Sequence, residues 1–374
     1  MRTFIAALAI ALCASAASAQ VLDIPSDGDN QQATVTQHIG VVAVTIDYHS
    51  PDVHAPNGED RRGKIWGKLV PYGLNPLGYG TCTQCPWRAG ANQNTTFAVT
   101  HDVKINGQPL PAGKYGLSMI VEPNEWTLIF SKNAAQWGSF FYDPKDDALR
   151  VKVKPGPSEY HEWLTYEFTD RQPDHATVAM KWEDVQVPWT ISVDDITALH
   201  LASVRNQLHN DEGFSWTNWL AAAQYAIAVK HPAEALEFAD AAAHFSFVGQ
   251  ENFQTLTTLA LAQEMNGKLA EANASREKAL ASPAATALEL HGYGRQLLAQ
   301  GKKDEALKVF ELNAKRHPNE WPVNFGLARG YSAVGRFKDA LKYAKLAVTQ
   351  APDEGNRRAM EDAAKRLEEG KDIN

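Results

Sequence analysis

In the C-terminal half of this chain, glycine, alanine and proline recur at one fixed interval. Gly301 and Gly335 lie 34 residues apart, as do Ala306 and Ala340, and Pro318 and Pro352. One interval upstream, Gly267 opens GKLAEANASREKAL, with Ala272 in the alanine position. Such a period holds two helices and their turns. Ala328, Ala340 and Ala347 let paired helices approach closely, Gly301 and Gly335 make the turns, and each proline ends a second helix. A lone pair cannot bury its apolar face, so the units must stack.

A 34-residue period of paired helices is the tetratricopeptide signature. NWLAAAQYAIAVKHPAEALEFADAAAHF reads as a further, degenerate pair with drifted spacing, and EGNRRAMEDAAKRLEEG as a polar terminal helix. Three to four repeats are therefore expected across residues 211–370. The partner expected for such an array is a protein or peptide.

The preceding half obeys a different period. VVAVTIDYH places Val42, Val44, Ile46 and Tyr48 on one face, as a half-buried strand does. Asn106-Gly107 in DVKINGQPL predicts a hairpin whose two turn residues both take positive φ. Further strands are expected at Tyr115 to Val121, Trp126 to Phe130, Leu149 to Val153, Trp163 to Phe168, Ala176 to Trp182 and Trp189 to Val193. Turn-rich EPNE and KPGPSE separate them. No βαβ rhythm intervenes. The expected fold is α+β by domain: an N-terminal antiparallel β-sandwich over residues 33–193, then an all-α tetratricopeptide-repeat solenoid.

MRTFIAALAIALCASAASAQ has the build of a secretory signal peptide over residues 1–19, with cleavage before Gln20. Its apolar run is shorter than the ~20 residues a membrane span needs, so no transmembrane anchor is expected. The mature protein is expected in the periplasm or secreted. Cys13 falls in the discarded segment, which leaves Cys82 and Cys85 of the three cysteines. A net charge of −8 gives no basic surface for nucleic acid.

GTCTQCPWRAGANQNTTF concentrates the candidate chemistry. An exported Cys82/Cys85 pair reads first as a short structural disulfide clipping an exposed loop. A redox centre would set the pair at a helix start, but Pro86, Trp87 and Gly90 follow instead. A zinc site would need two further ligands, for which His49, His54 or His101 are the candidates. Beyond the pair, Arg88 and Asn92 suit recognition of a carboxylate, phosphate or sugar hydroxyls, and they equally suit satisfying loop carbonyls and amides. Trp66 and Trp87 could stack on a ligand ring or pack in the core. His49, Asp52 and His54 form a second loop cluster with metal-ligand residue types, more often a solvated turn. Arg61, Arg62 and Lys64 bring positive charge nearby. His101 before Asp102 is a further candidate. No G-x-S-x-G and no G-x-x-x-x-G-K followed by Ser or Thr occurs. No cofactor is expected.

TQHIGVVAVTIDYHSP, DRRGKIWGKLVPYG, PWRAGANQNTTF, DVKINGQPLPAGKYGL, EWTLIFSKN and WGSFFYDPKDDALRVKVKP together resemble an exported bacterial family, domain of unknown function 2911. The resemblance implies a family β-domain fused to tetratricopeptide repeats and assigns no catalytic residue. GLNPLGYGTCTQCP and HAPNGED depart from the simplest form of the motif, and both lie beside the suspected site.

Two functions follow. One is a binding and scaffold protein, whose β-domain loops take a small molecule or carbohydrate at Trp87, Arg88, Asn92, His49 and His101 while the helices hold a protein. The alternative is an envelope-associated hydrolase or lyase using His49 or His101 as acid/base, with or without a metal.

Overall fold

The computed structural model describes residues 30–374. The expected signal peptide over residues 1–19 and Cys13 lie outside the described residues. The chain divides into two compact units, one ending at Ile196 and the other covering Thr197–Asn374.

Among its described residues the first unit holds ten strands: β1 (Gln31–Ile39), β2 (Val42–Ser50), β3 (Thr96–Val99), β4 (Val103–Ile105), β5 (Gln108–Leu110), β6 (Gly113–Ile120), β7 (Trp126–Ser131), β8 (Asp147–Val153), β9 (Gly156–Thr169) and β10 (His175–Ser192). They form a six-stranded sheet in the order β1-β2-β3-β6-β7-β8 and a four-stranded sheet in the order β5-β4-β10-β9. All pairings are antiparallel. Val42, Val44, Ile46 and Tyr48 are buried and their strand neighbours half-exposed, so the alternation in β2 marks its core face. Tyr48 meets Tyr166 of β9 edge-on at 4.8 Å, joining side chains of the two sheets. Just past β2 the backbone pairs with β9 directly, Val53 N–H donating to Glu162 O at 2.8 Å and Leu164 N–H to Pro51 O at 2.9 Å.

The β4/β5 turn is the expected one, Asn106 and Gly107 taking φ of 46° and 81°. One expectation needs correction: Ala176–Trp182 and Trp189–Val193 are a single strand, β10. Register shifts flank Glu183, whose φ is +57°. A bulge there breaks the alternation without ending the strand, which hides its continuity from a two-residue period.

The second unit is helical. It comprises α1 (Ile196–Leu208), α2 (Trp216–Ala228), α3 (Pro232–His244), α4 (Phe253–Met265), α5 (Leu269–Ala281), α6 (Ala287–Ala299), α7 (Lys303–Arg316), α8 (Trp321–Ala333), α9 (Phe337–Thr349) and α10 (Glu354–Glu368). Pairs α4/α5, α6/α7 and α8/α9 follow the 34-residue period; α2/α3 is the drifted pair, and α10 follows as the terminal helix. Ala306, Ala328, Ala340 and Ala347 are fully buried, where helices meet most closely. Phe310 fills a slot walled by glycines: a Cβ on Gly294 or Gly326 would stand 2.4 or 2.7 Å from its ring.

The turn within each pair is left-handed, with Gly267, Gly301 and Gly335 at φ of 74°, 76° and 80°. In the drifted pair Lys230 occupies that turn at φ 62°. A side chain there costs roughly 1–2 kcal/mol, offset in part by the ~0.4–1 kcal/mol that a non-glycine residue saves in the unfolded chain. Lys230→Gly is therefore expected to stabilise the helical unit and Gly301→Ala to destabilise it, each by on the order of 0.5–1 kcal/mol. Urea midpoints that move in opposite directions bear this out; equal shifts of one sign refute it.

Candidate functional site

Between β2 and β3 the chain makes a long excursion that is nonetheless tied to the sheets. Trp87 and Met119 of β6 exchange backbone hydrogen bonds of 2.9 and 2.8 Å, which places Arg88 at the end of a fixed strand-like segment. The chain then turns sharply, with Ala89 and Asn92 at φ of 54° and 52°. Gly90 fits because a Cβ there would lie 2.8 Å from Thr95 Oγ1 and 3.0 Å from His49 O. Ala91 N–H donates to that His49 carbonyl at 3.0 Å. The Ala89 carbonyl accepts from Thr95 Oγ1 at 3.1 Å and from the Tyr166 hydroxyl at 2.7 Å.

Arg88 Nη1 donates to Asn92 O at 2.7 Å, and the guanidinium lies over the Phe140 ring, 5.2 Å from its centre. The loop before β8 closes against it: a Cβ on Gly138 would stand 2.7 Å from Arg88 Cζ. Arg88 thus satisfies a loop carbonyl with one donor, and the residue as a whole stays half-buried. Burial lowers its pKa from the ordinary arginine value.

Beside it opens a cavity of about 360 Å³, lined by Trp87, Arg88 and Asn92 together with Arg61, Asn75, Ser139 and Trp182. Its back wall belongs to a tryptophan cluster. Trp66 packs against Trp126, Trp182 and Trp87 at 4.9, 5.6 and 5.8 Å, and Trp87 and Trp182 lie nearly parallel at 6.2 Å. Trp182 is 1% exposed, and its indole Nε1 has no hydrogen-bond partner among the described residues.

Cys82 and Cys85 stand at disulfide distance, with Cα atoms 5.6 Å apart. The loop they clip is exposed at Thr81, Thr83 and Gln84, but the cysteines are buried against Ile129 and Tyr142. Cys85 exchanges two 3.1 Å backbone hydrogen bonds with Asn75, and Cys82 N–H donates to Phe140 O at 3.0 Å. The clip therefore braces Phe140, on which Arg88 rests, and Cys85 itself lines the cavity. After Cys85 the chain bridges to β6 and forms no helix, so the pair lacks the helix start of a redox centre.

The other candidates, His49 and His101 included, are not among the cavity's lining residues, although the His49 carbonyl holds the lining Gly90–Ala91 turn. Burial lowers the His49 pKa, with Asp47 opposing. His101 Nδ1 lies 2.9 Å from Thr100 Oγ1. His54 is held by Glu162, Nδ1 to Oε2 2.9 Å, and lies 3.8 Å from Asp60, while Asp52 pairs with Trp163 in an isolated bridge. Among the described residues, no group of three or more His, Cys, Asp or Glu is placed to hold a metal ion. No helix among them is long and apolar enough to cross a membrane.

Residues 30–191 match the family model described as protein of unknown function, DUF2911. The DUF2911 match runs from the residue before β1 to the penultimate residue of β10, so it contains the whole cavity. A comparison with curated proteins finds no match. Solved structures resemble the helical half. MamA is 18% identical over 40% of this chain and 85% of its own, with a TM-score of 0.29. TTC0263, a thermophilic TPR protein of Thermus thermophilus, is 17% identical over 44% of this chain and 88% of its own, with a TM-score of 0.32. YrrB, described as a TPR protein with an unusual peptide-binding site, is 16% identical over 44% of this chain and 82% of its own, with a TM-score of 0.28.

Of the cavity's polar groups, sequence reasoning singled out Arg88 and Asn92, with Trp87 beside them, and noted Arg61 only as nearby charge. It missed Asn75, Ser139 and Trp182. Trp182 comes from a strand some 90 residues further on, and no local spacing announces it.

Proposed function

We propose that this is an exported binding and scaffold protein. In this reading residues 1–19 are removed on export, 33–193 form a sandwich-like binding domain, and 211–370 form an interaction array. The observation that carries it is the convergence of Trp87, Arg88 and Asn92 on one cavity. That cavity lies in the size range of small-molecule sites, about 300–1,000 Å³. Stacked helix pairs supply an extended surface for a protein or peptide. The leader pattern and a cysteine pair at disulfide distance support a periplasmic or secreted location.

The test is a small-molecule screen read by calorimetry, repeated on substituted proteins. Arg88→Ala and Asn92→Ala should each weaken a cavity ligand roughly tenfold. Melting temperatures should fall by no more than about 4 °C, since Arg88→Ala gives up one hydrogen bond to a loop carbonyl and Asn92→Ala places alanine at a left-handed turn. A large loss of stability with unchanged binding would make both residues structural.

A further inference from the structure

Arg61 and Arg88 both line the cavity, and neither has a carboxylate within ion-pair distance among the described residues. Among the described residues, no Asp or Glu lines it. This is unusual in a chain with 44 acidic and 36 basic residues. Next to Arg61, Arg62 lies 2.6 Å from Asp60, and Lys64 lies 3.8 Å from Glu59. Asp60 and Glu59 are thus paired with outward cations, and Glu122 lies beside the lining Gly73, while Arg61 and Arg88 have no ion-pair partner among the described residues.

Desolvating a guanidinium without a counter-charge is unfavourable, and an occupant carrying negative charge removes that cost. The remaining groups sharpen the match. The Asn92 amide makes no side-chain hydrogen bond among the described residues, and the Trp87 and Trp182 rings supply an apolar wall.

We propose that the cavity binds a small anion, a carboxylate or phosphate ester whose apolar ring lies against Trp87 and Trp182 while Arg61 and Arg88 hold the charge. This rests on the cavity being a binding site, and it adds the chemical class.

The experiment titrates full-length mature protein with benzoate, phenyl phosphate and the neutral isostere benzamide, following tryptophan fluorescence and calorimetry. Benzoate and phenyl phosphate are expected to bind about tenfold more tightly than benzamide. Arg61→Gln and Arg88→Gln should each cost the anions roughly fivefold while leaving benzamide unchanged, with circular dichroism confirming the fold. Equal affinity for benzamide and benzoate, or equal losses for both, overturns the anion assignment and leaves the cavity reading standing. No saturable binding of any probe removes both. The sequence before Asn30 carries Asp23, Asp27 and Asp29. Their joint replacement by Asn should leave benzoate affinity within about twofold; a gain of roughly tenfold would assign the guanidinium pair to the chain's own aspartates and overturn the proposal.

Discussion

Trp182→Ala lowers the stability of the β-domain by about 3–5 kcal/mol, the loss expected when a fully buried large aromatic is truncated in a packed core. The side chain is 1% exposed and contacts Trp66 and Trp87. Trp66 in turn packs on Trp126 of the other sheet, so a cavity at position 182 loosens contacts between the sheets and the wall behind Arg88 together. Trp182→Phe keeps a ring in place and should recover more than half of the loss. Guanidinium unfolding followed by tryptophan fluorescence reads the difference; a cost below about 1 kcal/mol for the alanine variant would mean the cluster is not packed as described.

The helical unit carries the second large effect, a dependence on acid. His291 on α6 packs near Phe310, with ring centres 5.9 Å apart, and burial pulls its pKa from 6.5 down to about 4. The Pro322 carbonyl opposes that shift, and the positive charges of Arg329 and Arg295 reinforce it. Below pH 6.5 the unfolded chain gains a proton at His291 that the folded chain refuses until about pH 4. Stability from this group is therefore complete above pH 6.5, falls as pH drops through the window, and is about 3 kcal/mol lower at its acid end. His291→Gln cannot take up that proton. Urea unfolding at several pH values should show the wild type losing stability relative to the variant across the window. Parallel pH profiles would contradict the assignment.

These cases show what sequence alone could reach. Asn106-Gly107 and the glycines at 267, 301 and 335 were legible because each is a local backbone demand: left-handed φ, met by residues that tolerate it. Val42 to Tyr48 were legible because a strand with one buried face alternates. Arg88 and Asn92 stood out as polar groups in a small-residue loop. Their partners did not, because Arg61 precedes the motif in a separate loop segment held to Val53, and Trp182 sits on β10, some 90 residues further on. Glu183 illustrates the remaining difficulty: its bulge resets the two-residue period, so one strand read as two.

The account turns on whether the hollow beside Arg88 takes a ligand. Side-chain indole resonances of Trp87 and Trp182, assigned by substitution and followed by NMR during titration with benzoate, report this directly. Saturable shifts of both resonances are expected, with indoles of the helical unit such as Trp219 unmoved, and Arg88→Gln should need roughly fivefold more benzoate to reach the same shifts. Saturable binding that leaves both indoles unchanged, or an unchanged titration midpoint in the variant, would contradict it.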